Sequence, residues 1–233
     1  MRRTWSPTRV ASGVGLVAWA AAFWFLLVSG RTQLYLGSRT EWVVPLGAVA
    51  LTLAAAGRLW TARTTHRERL RPRDAWGFAV VALPAVLVLA LPPTSLSSFA
   101  ASRRSASAGF VSTTGDPSSG DITLVDVASA DWSTEGQRAL VRRAGEQVSF
   151  VGFVTERPGL PADEFYLTRF IVSCCVADAL SVQVRVVEAP PGRFQQDQWV
   201  RVDGAIYPVA GEVIVAATNV EPVPEPADPY LNP

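Results

Sequence analysis

With 21 basic and 20 acidic side chains over 233 residues, the chain has almost no net charge, so no global field draws it to nucleic acid. Hydrophobic residues make up 49% of it, high for a soluble protein, and the long apolar runs fall in the first hundred positions. The only two cysteines, Cys174 and Cys175, are too few for a disulfide framework.

The basic N-terminus, MRRTWSPTR, leads into an apolar run over 10–28, close to the ~20 residues that cross a bilayer as a helix. It is too long for a signal peptide, is interrupted by Trp19 and Trp24, and lacks a small-residue cleavage site. A second span, 42–60, is bracketed by Trp42 and Trp60, the residues that favour the headgroup interface. A third, 75–91, is shorter and contains Pro84, which a membrane helix tolerates when neighbours satisfy the freed carbonyl. Arginines set the expected orientation. Arg2, Arg3 and Arg9 precede the first span, and Arg58, Arg63, Arg67, Arg69, Arg71 and Arg73 crowd the connection between the second and third. The positive-inside rule puts both in the cytoplasm, and three spans then put everything after Leu91 outside.

The spans carry no charge except arginine near their ends, which argues against a stand-alone transporter. Small residues (Gly13, Gly15, Ala18, Ala22, Gly47, Ala50, Ala54, Gly57) allow close helix packing, against a partner subunit or simply as an alanine-rich anchor. His66, the only histidine, sits among arginines and reads as solvated, and the arginine run itself reads as a topology signal that touches anionic lipid heads.

From Pro92 to Gly120 the composition turns to Ser, Ala, Gly, Thr and Pro, that of a flexible linker. The outer domain is expected over 121–222. Asp121–Ala128 reads as a short strand and Asp131–Ala144 as a helix, capped by Asp131 or Ser133, with Trp132, Ala139 and Leu140 on one face. Strands follow at Gln147–Thr155, Glu164–Ser173, Ser181–Glu188, Gln198–Tyr207 and Glu212–Val220, with a bulge or bend at Gly152. Val182, Val184 and Val186 share an inward face, as do Val200, Val202 and Ile206. Five strands after one helix make a mainly-β, OB-like closed barrel the expected fold, with a proline-rich tail over 223–233. OB barrels often bind oligonucleotides or sugars, but no basic face with interleaved aromatics is visible here.

Within this domain RFIVSCCVADA, Arg169 to Ala179, holds both cysteines. On a regular strand their side chains point to opposite faces, so joint chemistry requires the backbone to turn at Cys174. Four readings stand open: two small core residues, a vicinal disulfide favoured by an oxidising compartment, thiolate ligation of zinc or another soft metal with Asp178 or a partner's residues completing the shell, and thiol catalysis, for which no histidine base lies near. No catalytic constellation is found, and the chain is not expected to be an enzyme. Arg169 interrupts an apolar strand, so a carboxylate partner, Asp178 or Asp163, is expected.

Several of these segments together resemble the YcgQ-like family of bacterial membrane proteins, described as permease subunits. The resemblance rests on GFV at Gly152–Val154, on the RF-x-I/V-x-CC-x-ADA element with Arg169, Phe170 and Ala177, on WVRVDG from Trp199 to Gly204, and on Pro226 followed by DPYL at Asp228–Leu231. It implies an accessory subunit paired with a larger multi-span permease in the plasma membrane, with a link to zinc homeostasis. Members of that family often carry a histidine-rich loop between the second and third spans. Here that loop keeps only His66.

Overall fold

A computed structural model describes residues 4–64, 72–91, 94–103, 120–130, 134–209 and 211–231. The chain divides into two compact units, the boundary falling between Thr94 and Ser95.

The first unit is helical. Helix α1 (Pro7–Val28) starts with a proline in its first turn behind Ser6, whose hydroxyl accepts from the Arg9 amide. Helix α2 (Val43–Trp60) returns antiparallel to it. Two short strands, β1 (Thr4–Trp5) and β2 (Arg63–Thr64), pair at the shared end, and the Ser6 amide donates to the Ala62 carbonyl at 2.8 Å. The Arg9 guanidinium donates to the Thr61 carbonyl and Arg58 to the Ser12 hydroxyl, both at 2.8 Å, so Arg9 caps the end of α2 and Arg58 ties it to α1. At Gly13 and Gly47 a side chain of the other helix takes the space a Cβ would need: it would lie 2.5 Å from the Leu59 side chain at the first and 2.6 Å from the Phe23 ring at the second. These two glycines are therefore used within the chain, whereas a Cβ at Gly15 or Gly57 would meet open space.

Helix α3 (Pro72–Ala90) packs on α1 and contains Pro84. The Trp19 indole donates to the Val81 carbonyl at 2.9 Å, in the turn that the proline weakens. Helices α1 and α2 are long and apolar enough to cross a membrane. The apolar part of α3, Trp76–Ala90, is shorter. His66 and most of the arginine-rich connection lie outside the described residues.

The second unit is built on five strands: β3 (Gln147–Thr155), β4 (Phe165–Ile171), β5 (Leu180–Val187), β6 (Trp199–Val209) and β7 (Glu212–Pro222). They close into a barrel in the order β3-β4-β5-β7-β6 and back to β3. Every pairing is antiparallel except β5 with β7. Alternation places Leu167, Val182, Val184, Val186, Val200, Val202 and Ile206 inside, none more than 2% exposed. A two-residue strand, β8 (Tyr230–Leu231), runs parallel to the end of β4, Phe170 opposite Tyr230.

Two glycines shape the barrel. The ladder between β6 and β7 shifts register between Asp203 and Gly204, and a Cβ on Gly204 would stand 2.2 Å from the Ala216 carbonyl oxygen. A Cβ on Gly152 would lie 2.8 Å from the Thr168 carbonyl oxygen, so glycine lets β3 approach β4 there.

Two expectations change. Asp121–Ala128 is not a strand: Leu124–Ala130 forms helix α5, whose Leu124 and Val127 join the barrel core. The Thr123 and Asp126 side chains exchange hydrogen bonds with each other's amides, 3.1 Å from Asp126 N to Thr123 Oγ1 and 2.9 Å from Thr123 N to Asp126 Oδ2. That reciprocal cap overrides the short run of alternating apolar residues. Helix α6 (Thr134–Arg142) follows and buries Ala139 and Leu140; Asp131, Trp132 and Ser133 lie outside the described residues. The second change concerns the linker. Ser98–Arg103, given to it by composition, is helix α4, with Ser98 and Ala101 buried. The Asp197 carboxylate accepts from the Ser98 amide at 2.6 Å and the Gln196 amide group donates to the Ser98 hydroxyl at 2.8 Å, long-range partners that composition cannot show.

Replacing Gly204 with alanine drives a methyl group into backbone. We expect a loss of about 1–3 kcal/mol, the range for overpacking, read as a lower denaturant midpoint of the barrel's far-ultraviolet signal. An unchanged midpoint would mean that the bulge is not sterically required.

Candidate functional site

The end of strand β4 brings the conspicuous sequence segments together. Phe153 of β3, Phe170 of β4, Val172, Ala179 and Tyr230 form a small apolar cluster separate from the barrel core, with Ala101 of α4 and, at its edge, Leu96, Val176 and Trp199. Phe153 stacks on Phe170 with centroids 5.9 Å apart and meets Trp199 edge-on at 5.7 Å. Such pairs contribute about 0.5–1.5 kcal/mol each beyond area burial. The Tyr230 hydroxyl accepts from the Leu96 amide at 3.1 Å, tying the C-terminal segment to the approach of α4.

Arg169 holds this end in place. Its Nε donates to the Pro229 carbonyl at 3.2 Å and a terminal nitrogen to the Asp228 carbonyl at 2.8 Å, while the guanidinium lies 5.8 Å from the Trp199 ring centroid. Burial pulls its pKa down, and the Asp228 charge partly restores it. The expected partners, Asp178 and Asp163, are not the ones it uses. The reason is topological: β8 lies alongside β4, which puts main-chain oxygens of the tail within reach of the guanidinium.

Beyond Ile171 the chain leaves the sheet and bends through Ser173 and Cys174 before one 3-10 turn, Val176–Asp178, leads to β5. The Asp178 carboxylate closes this loop, accepting from the Ser173 amide at 3.1 Å and the Cys174 amide at 2.8 Å. The backbone does turn at Cys174, and the two sulfurs stand 3.6 Å apart. Cys174 is exposed and Cys175 half-buried, both as thiols, so neither is a core residue and they are not joined in a disulfide. Ala177, also exposed, lies in the 3-10 turn.

Electrostatics sets the thiols' character. The Cys174 pKa is pushed up to about 12, first by its hydrogen bond to the Asp178 carboxylate and then by the Cys175 thiol. Desolvation would raise the Asp178 pKa, but the Cys174 thiol and the backbone amides that it accepts from outweigh this, and it falls below the usual carboxylate range. Its hydrogen bonds therefore favour the folded loop at neutral pH, an effect lost as pH drops through the lowered pKa. A thiol held protonated is a poor nucleophile.

Zinc asks for four donors. Both Asp178 oxygens already accept from amides, and among the described residues no three His, Cys, Asp or Glu side chains are grouped to hold a metal ion. The loop by itself does not fit zinc. A cleft of about 280 Å³ opens elsewhere, between 156–162 and 189–194. Its Arg157 is engaged with Gln183 and its Glu164 with Arg185.

Phe153, Tyr230 and the Asp228 and Pro229 carbonyls are the site members that residue-by-residue reading missed. Their recurrence in short aromatic segments was visible, but the pairing of β8 with β4 that assembles them was not.

Compared with known families, the model of the DUF1980 C-terminal domain matches residues 113–233, just over half of the chain. The chain belongs to that family of bacterial proteins. No curated protein matches it.

Replacing Arg169 with alanine should release β8, costing about 1–3 kcal/mol for the hydrogen bonds from a charged donor. Hydrogen exchange at the Val172 amide, which donates to the Leu231 carbonyl, should speed up. Lysine should not rescue it, because an ammonium cannot present the same planar fork to two carbonyls. Undisturbed Val172 protection in the alanine variant would remove Arg169 from this role. For Asp178→Asn we expect the Cys174 pKa to fall. Each unit of fall raises the thiolate fraction about tenfold, so alkylation by iodoacetamide at mildly alkaline pH should accelerate; an unchanged rate would show that the carboxylate does not control the thiol.

Proposed function

We propose that this chain is a membrane-anchored accessory subunit of a permease, its barrel held outside the cytoplasm and offering the surface around Arg169 and Trp199 to the larger subunit. The observation that carries the reading is the character of the helical unit. Helices α1 and α2 show exposed apolar side chains along their lengths, Val14, Val17, Leu46, Val49 and Leu53 among them. Neither carries an ionisable residue away from its ends. Such helices suit lipid and offer no path for an ion or proton, so transport would need another subunit.

Three further features support the details. Helix α3, apolar from Trp76 to Ala90, serves as a third span if the bilayer thins or the flanks snorkel. With the arginines on either side of the first two spans, that count puts the barrel outside. The barrel's connectivity, with its single parallel pair between the third and fifth strands, is that expected of an OB-like fold. The segments that resemble YcgQ-like permease subunits gather at one end of that barrel rather than scattering over it.

Two measurements test this. The tagged chain, purified in mild detergent from its native membrane at native expression, should bring down a multi-span protein in comparable amount. A reporter fused after Pro233 should be active as alkaline phosphatase and dark as green fluorescent protein. Purification as a lone chain would sink the accessory-subunit reading; a cytoplasmic reporter signal would sink the three-span orientation.

A further inference from the structure

Cys174 and Cys175 present two thiols 3.6 Å apart on adjacent residues, one exposed and one half-buried, at a loop whose bend is already set by Asp178. For bonds of about 2.3 Å, the zinc–thiolate length, an angle near 100° at a shared atom separates its two sulfurs by about 3.5 Å. The sulfurs thus stand at the bite of a single central atom without rearrangement of the backbone. Further donors are what the surroundings lack: the Asp178 oxygens accept from the Ser173 and Cys174 amides, and among the described residues no group of three His, Cys, Asp or Glu side chains is placed to hold a metal ion. A four-coordinate ion is poorly served by such a loop. A thiophilic centre content with two sulfurs is well served.

We propose that Cys174 and Cys175 form a two-thiol chelating site for trivalent arsenic or antimony, taken as the hydroxide or an organic derivative. Two S–H and two As–OH bonds break, two As–S bonds form, and the two thiol protons leave with the two hydroxides as two waters. The central atom stays trivalent, so neither oxidant nor reductant enters. A third substituent, hydroxide or carbon, completes the pyramid and points to solvent on the exposed Cys174 side. This site does not depend on the chain having a permease partner.

Phenylarsine oxide is a direct probe on the reduced full-length chain in detergent. Intact mass should show one phenylarsenic group per chain with one water lost, its oxygen from the oxide and its hydrogens from the two thiols, and both thiols should vanish from titration together. A dithiol such as 2,3-dimercaptopropanol should reverse the adduct, and an equal concentration of a monothiol should not. In Cys174→Ser and Cys175→Ser the second bond is no longer intramolecular, so binding should weaken about 100-fold or more. Zinc at the same concentration should not be retained. The site is overturned if the wild-type chain forms no adduct while both thiols react with maleimide, if either serine variant binds as tightly as wild type, or if zinc is held as firmly as the arsenical. The dithiol-reversal arm uses only the wild-type chain and decides the matter should a serine variant fail to fold.

Discussion

A guanidinium carried into the end of a β-barrel must find oxygens there, and this one finds the main chain. Arg169 takes the Asp228 and Pro229 carbonyls, and that choice fixes where the C-terminal segment lies. With the segment in place Tyr230 pairs opposite Phe170, its hydroxyl receives the Leu96 amide, and α4 is drawn to the same end through Ser98 and Asp197. Burial lowers the guanidinium's pKa without removing its charge, and a fork of fixed donors suits two carbonyls better than a mobile ammonium does. The aromatic cluster of Phe153, Phe170, Trp199 and Tyr230 is the apolar complement of that polar anchor.

The cysteine loop hangs from this assembly. Val172, directly before it, donates to the Leu231 carbonyl, and Val176 and Ala179, directly after, pack into the aromatic cluster. With both flanks held, the intervening residues have one short path, and Asp178 closes it from within. The same carboxylate that shapes the loop holds Cys174 protonated. What the loop offers beyond a single slow thiol is the pairing of two sulfurs 3.6 Å apart.

Much of this was legible in the residues. All five barrel strands were, because alternation with period two is a local consequence of one face being buried, as in Val182, Val184 and Val186. The apolar helices were legible because a long unbroken apolar run is itself a local signal. Asp121–Ala128 was misread because its five apolar residues, Ile122, Leu124, Val125, Val127 and Ala128, also fit a helix, and the reciprocal cap of Thr123 and Asp126 was the finer signal. Residues 98–103 were misread because small polar residues signal a linker only when nothing distant binds them, and Asp197 does.

By itself, then, the sequence determined the two kinds of unit, the strand positions and the condition that Cys174 and Cys175 could act jointly only at a turn. Those properties depend on side-chain chemistry and spacing along a single stretch. Tertiary structure decided the partner of Arg169, the commitment of Asp178 to backbone amides and the gathering of separate aromatic segments beside the thiols. The first and last depend on which distant groups barrel closure and the added β8 strand bring within reach, and the second on the bend that the loop takes between its two held ends.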